Sequence, residues 1–163
     1  ADFCPETDFA AETIYQLGRS FHRMAMFDDA AEQYEEYYAA APSGDNAENA
    51  LNNAATFRQG LGQYSEAVDA LESFIDVTGD DSAVAEARFQ IAETERARGR
   101  DDDAIGAYER VADRHADDSP SRALQAHAII AELHIESGSR NAEERAADRY
   151  DEVMDLYWGM EAE

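Results

Sequence analysis

Three segments of this chain superimpose when shifted by 37 residues: FDDAAEQYEEYY around Ala30, YSEAVDALESFI around Ala67 and DDDAIGAYERVA around Ala104. In each, a large residue follows the alanine by four positions (Tyr34, Leu71, Tyr108) and another by seven (Tyr37, Phe74, Val111). Spacing of i, i+4, i+7 aligns the three side chains on one face of an α-helix, so that face is the expected core. A single helix cannot bury such a face alone, and a fixed period implies that neighbouring copies bury it for one another. A fourth copy, Ala146, Tyr150 and Val153, keeps the spacing if the turn after Gly138 holds three extra residues. The rival architecture is a compact four-helix bundle with accidental periodicity. Three trios at identical spacing count against it.

Upstream of each trio a second apolar-periodic segment ends in a turn: GLGQ at 60–63, ARGR at 97–100 and ESGS at 136–139. Glycine suits these turns because many helices close on a left-handed residue. The first such turn, Arg19 to Met26, has no glycine. The openings DNAEN, DDSAVAE and DDSPSRA place Asp or Ser where helix N–H groups lack partners. Each repeat therefore reads as a helical hairpin, and eight helices are expected at 8–25, 28–41, 46–60, 64–77, 82–98, 101–115, 119–136 and 142–158. They group into repeats 8–42, 45–79, 82–118 and 119–158 of one domain over 1–163, with 1–7 as an N-terminal tail. At 44% apolar residues the chain can build a real core. The expected class is all-α, an α-solenoid of about four hairpins without strands.

The order of residues in the first repeat, Ile14, Leu17, Gly18, Phe21, Ala30, Tyr34 and Pro42, resembles the tetratricopeptide repeat family, with Tyr37 at the family's second small position. The second repeat supplies Leu51, Ala54, Ala55, Ala67, Leu71 and Phe74 but departs at Arg58, where the family has an aromatic residue, and at Gly79. The third supplies Ile91, Ala92, Ala104, Tyr108 and Val111, with departures at Arg88 and Glu95; the fourth is degenerate. Small residues have a physical role here: Gly18, Ala55, Ala92 and Ala131 stand where one helix crosses its partner, and a larger side chain there should cost about 1–3 kcal/mol. The pitch near 37, the DDS openings and AEARFQIAE look more like the variant repeats of bacterial envelope proteins, which implies a periplasmic or cell-envelope setting.

The resemblance implies a concave face lined by the first helix of each hairpin. Its lining positions fall on Glu12, Tyr15, Arg19, His22 and Arg23; Asn49, Asn52, Thr56 and Gln59; Glu86, Phe89, Glu93 and Arg96; and Gln125, Ala128, Glu132 and Ile135. Arg19, Arg23, Asn49 and Asn52 stand out in so acidic a chain: Arg grips carboxylates bidentately, and Asn both donates to and accepts from a peptide backbone. The expected function is a non-enzymatic interaction module or scaffold that holds a peptide or partner domain, the peptide carrying acidic groups. Solvated surface residues are the bland alternative. The chaperone-tail clamp of some family members is not implied, because its positions fall on Tyr15, Arg19, Asn53, Glu86 and Gln90, of which only Asn53 fits. The other functional class is an assembly subunit of an envelope complex or homo-oligomer that uses its ends and convex face, pointed to by Tyr157, Trp158, Met154 and Met160 in the last helix.

All 13 positive side chains are Arg, against 37 Asp and Glu, for a formal net charge of −24. That field disfavours nucleic acid and anionic membranes as partners. Scattered acids read as salt adaptation, blocked ones as steering of a basic partner; here they are scattered. No apolar run approaches membrane-span length. The single Cys4 excludes an internal disulfide, and the start at Ala1 suggests a processed chain or an excised piece. His22, His115, His127 and His134 form no HExxH or i, i+4 pair, so no metal site is expected. Asp101, Asp102 and Asp103 fail as a calcium loop, because Ile105 and Ala112 occupy ligand positions. With no nucleophile motif or nucleotide loop either, no catalytic residue and no cofactor are expected.

Overall fold

The computed structural model describes residues 5–117 and 119–161. Among the described residues there are eight helices and no strand: α1 (Pro5–Arg23), α2 (Phe27–Ala40), α3 (Ala47–Gly60), α4 (Tyr64–Val77), α5 (Asp81–Ala97), α6 (Asp101–Arg114), α7 (Pro120–Glu136) and α8 (Ala142–Glu161). Every expected helix forms. α1 opens at Pro5, inside the stretch 1–7 expected as a tail, at a residue whose missing N–H loses no helix bond. Cys4 lies outside the described residues. The chain divides into two compact units between Gly79 and Asp80, at the junction of the second and third repeats.

In the first unit, α2 packs on α1, α3 on α2 and α4 on α3. Gly18 is the crossing point of the first hairpin: a Cβ there would stand 3.1 Å from the Tyr34 ring. Ala30, Ala31, Ala54, Ala55 and Ala67 are fully buried along the same crossings. Tyr37 is buried and also reaches the next repeat, its hydroxyl accepting from the Asn46 backbone N–H at 3.2 Å. Asn46 itself makes no side-chain cap; its amide instead donates to Glu12 Oε2 at 3.1 Å. Of the three expected capped openings, only Asp80 caps through its side chain, accepting from Ser82 N–H at 2.9 Å and Ala83 N–H at 3.4 Å. Ser119 makes no such bond, and Pro120 begins α7 in its place.

Arg58, the departure from the family's aromatic position, is buried between α2 and α3. Its Nε and Nη2 each donate to Glu35 at 2.7 Å, and Nη1 donates to Asp28 at 2.6 Å and to Gln63 at 2.7 Å. Hydrogen bonding to Glu35 raises its pKa further above the usual arginine value. An ionic joint thus replaces an aromatic one.

The hairpin turns share one geometry. Gly62, Gly99 and Gly138 are left-handed at φ 74°, 73° and 59°, and in the first repeat Ala25 adopts φ 57°. Two backbone bonds close each of the first three turns: Ala25 N–H to His22 and Met26 N–H to Phe21, Gly62 to Gln59 and Gln63 to Arg58, Gly99 to Arg96 and Arg100 to Glu95. At the fourth, Gly138 bonds Ile135, but Ser139 N–H turns to the Ser137 hydroxyl, which is where the extra residues enter.

In the second unit, α5 to α8 pack in chain order, and one cluster joins Phe89, Tyr108, Val111 and Ala112 to Ala126, Ile130 and Leu133. The repeated trios behave as expected in α2 and α6, while Phe74 is half-buried. In α8 the expectation fails at Tyr150, which is exposed although Ala146 is buried; among the described residues no further helix follows α8 to cover it. His115, His127 and His134 are buried, and burial lowers the pKa of His127 and His134, with Arg149 acting in the same direction on both. No described helix is long and apolar enough to cross a membrane.

Candidate functional site

The first unit carries an open cleft of about 370 Å³ lined by Tyr15, Arg19, His22, Arg23, Tyr34 and Asn53. Helix periodicity assembles it. Tyr15, Arg19, His22 and Arg23 follow one another down α1, Tyr34 rises from α2 beneath them and Asn53 faces them from α3. Tyr15 is buried between the rings of Tyr34, at 5.5 Å, and Tyr37, at 5.2 Å, and His22 meets the edge of Phe57 at 4.7 Å. The floor is therefore aromatic and the rim cationic. Burial raises the pKa of the Tyr15 and Tyr34 phenols, and the positive charge of Arg19 opposes that shift at both.

Neither Arg19 nor Arg23 is ion-paired among the described residues; Arg19 Nη1 donates only to Gln16 at 3.3 Å. Asn49 and Asn52 are exposed on α3 beside the cleft, and their carbonyls accept from Asn53 and Thr56 at 2.8 Å. Thr56 is exposed and Gln59 half-buried. The cleft-lining amide is thus Asn53, set aside in the sequence with the chaperone-tail positions.

The second unit treats the equivalent positions differently. Phe89, expected to line the face, is instead a core residue: it packs on Tyr108 at 5.3 Å and lies under the Arg122 guanidinium at 4.5 Å. Arg122 crosses from α7 to hold Glu86 through Nε at 2.5 Å and Nη2 at 2.7 Å, and Nη1 donates to Gln125 at 2.7 Å. Arg96 stands 4.0 Å from Glu136. The signal missed was an Arg 36 residues after Glu86, one repeat on in sequence and adjacent in space.

Residues 86–118 match the tetratricopeptide repeat family. That segment is similar to one tetratricopeptide repeat. Solved structures extend that fold over nearly all of the chain. MamA superposes with a TM-score of 0.65 at 18% identity, covering 94% of this chain and 81% of that one. MamA 41-end from Desulfovibrio magneticus RS-1 gives 0.60 at 17%, covering 91% and 76%. YrrB, described as a tetratricopeptide repeat protein with an unusual peptide-binding site, gives 0.60 at 21%, covering 90% and 69%. No curated protein matches the sequence. The fold is the α-solenoid of tetratricopeptide hairpins. Among the described residues, no group of three or more His, Cys, Asp or Glu side chains is placed to hold a metal ion.

Proposed function

We propose that this chain is a non-enzymatic interaction module whose first-helix face binds a peptide bearing acidic groups. The observation that carries the reading is the pair Arg19 and Arg23, unpaired in a chain of net charge −24, on the rim of an aromatic cleft. Arg58, Arg122 and Arg149 are engaged by carboxylates within the fold, whereas among the described residues no ion pair holds Arg19 or Arg23. In the proposed mode they take peptide carboxylates, the exposed Asn49 and Asn52 pair with the peptide backbone, and an apolar side chain rests against Tyr15 and Tyr34. The peptide-binding site of YrrB, on the same fold, supports a peptide ligand. The test is affinity capture from native lysate with the intact chain and with Arg19→Glu combined with Asn52→Ala, compared by quantitative mass spectrometry. A partner lost with the variant is the expected result; equal capture by both proteins contradicts it.

A further inference from the structure

The face that joins one hairpin to the next is covered inside each unit, and among the described residues its counterparts on α1 and α8 are exposed. In the second unit, Tyr108, Val111 and Ala112 of α6 share a cluster with Ala126, Ile130 and Leu133 of α7. Aligned on the repeat alanines Ala104 and Ala146, the same face of α8 carries Tyr150, Val153 and Met154, with Trp158 one turn on. Met154 is 49% exposed and Trp158 58%. Aligned on Gly18 and Ala131, the counterparts of Ala126, Ile130 and Leu133 on α1 are Thr13, Leu17 and Ser20. Leu17 is 44% exposed, and Phe9, on the same stripe, is 77% exposed.

The two bare faces are thus the two halves of one repeated joint. Their sizes offset: where α6 has Ala112, α8 has the larger Met154, and where α7 has Leu133, α1 has the smaller Ser20. The α8 face is apolar through Tyr150, Val153, Met154 and Trp158, and the α1 face sets Phe9 and Leu17 among the small polar Thr13 and Ser20. We propose that α8 of one molecule docks on α1 of a second copy, continuing the repeat joint from molecule to molecule. Such contacts are heterologous, so they build linear chains unless the geometry closes a ring. With 24 net negative charges on each copy, repulsion opposes assembly and added salt favours it.

Sedimentation equilibrium tests this with the full chain up to about 0.5 mM and in about 0.1 and 1 M NaCl. The wild type should grow beyond a dimer with concentration, more so at high salt. Leu17→Glu blocks the α1 face and Met154→Glu the α8 face; both side chains are exposed, so circular dichroism should show unchanged helicity. Each variant alone should be monomeric, whereas their equimolar mixture should form a one-to-one pair, because each keeps the half that the other lost. A wild type that stays monomeric under all conditions overturns the proposal. So does self-association of either variant, which would mean a symmetric contact, or a mixture that does not pair.

Discussion

Replacing Arg58 tests whether an ionic joint has taken over from an aromatic one between the first two repeats. The Arg58 side chain is 11% exposed, whereas Glu35 and Asp28 are 35% and 67% exposed. The exposed Asp28 regains water when Arg58 is removed, so that pair should contribute about 0.5 kcal/mol or less. The bidentate bonds to Glu35 should contribute about 1.5–2 kcal/mol and the buried stem about 1 kcal/mol. Arg58→Ala should therefore cost about 3 kcal/mol, Glu35→Ala about 2 kcal/mol, and the double variant less than their sum by about 1–2 kcal/mol. Arg58→Phe, which copies Phe21 of the first repeat, should cost under about 1 kcal/mol, since both carboxylates can turn to solvent. Hydrogen exchange of the α3 amides, read by mass spectrometry, reports the local opening free energy. A coupling below about 0.3 kcal/mol would refute the reasoning, as would a Phe variant weaker than the Ala variant.

Three further outcomes follow from the same geometry. Ala25→Gly should raise stability by about 0.5–1 kcal/mol by relieving a left-handed alanine, and Gly62→Ala should lower it by a similar amount, both read as urea midpoints. Tyr37→Phe should cost about 1 kcal/mol because it strands the Asn46 N–H, whereas Tyr108→Phe should cost nothing, since its buried hydroxyl has no partner among the described residues and burial pushes its pKa to about 12. Because His127 and His134 have depressed pKa values when folded, the unfolded chain takes up protons first: stability is full above pH 6.5 and falls below it. His127→Gln should flatten the slope of melting temperature against pH between neutral and acid; an unchanged slope would contradict that assignment.

Much of this fold is legible in sequence because its rules are local. Recurrence at 37 residues and the i, i+4, i+7 trios locate all eight helices, and the glycines at 62, 99 and 138 mark three of four turns. The first turn is not legible, because Ala25 has no intrinsic preference for φ 57°; the bonds from Ala25 and Met26 back to His22 and Phe21 impose it. The candidate cleft is half legible. Arg19 and Arg23 follow from helical phase along α1 and do meet in one cleft with Tyr15 and His22. Phe89 has the phase of a surface position, but phase alone cannot show that a long Arg122 side chain from the next repeat folds over it. Arg58 is similar: it looks like a damaged motif until Glu35 and Asp28 are seen in space. Long charged side chains act across repeats, beyond the reach of periodicity.

The most direct test of the binding account is selection of a displayed random-peptide library on the immobilised protein, repeated on Arg19→Glu combined with Arg23→Glu. The account predicts enrichment of peptides with Asp or Glu beside an apolar residue, and loss of that enrichment with the double variant. Acid-free winners, or the same winners on both proteins, would contradict it.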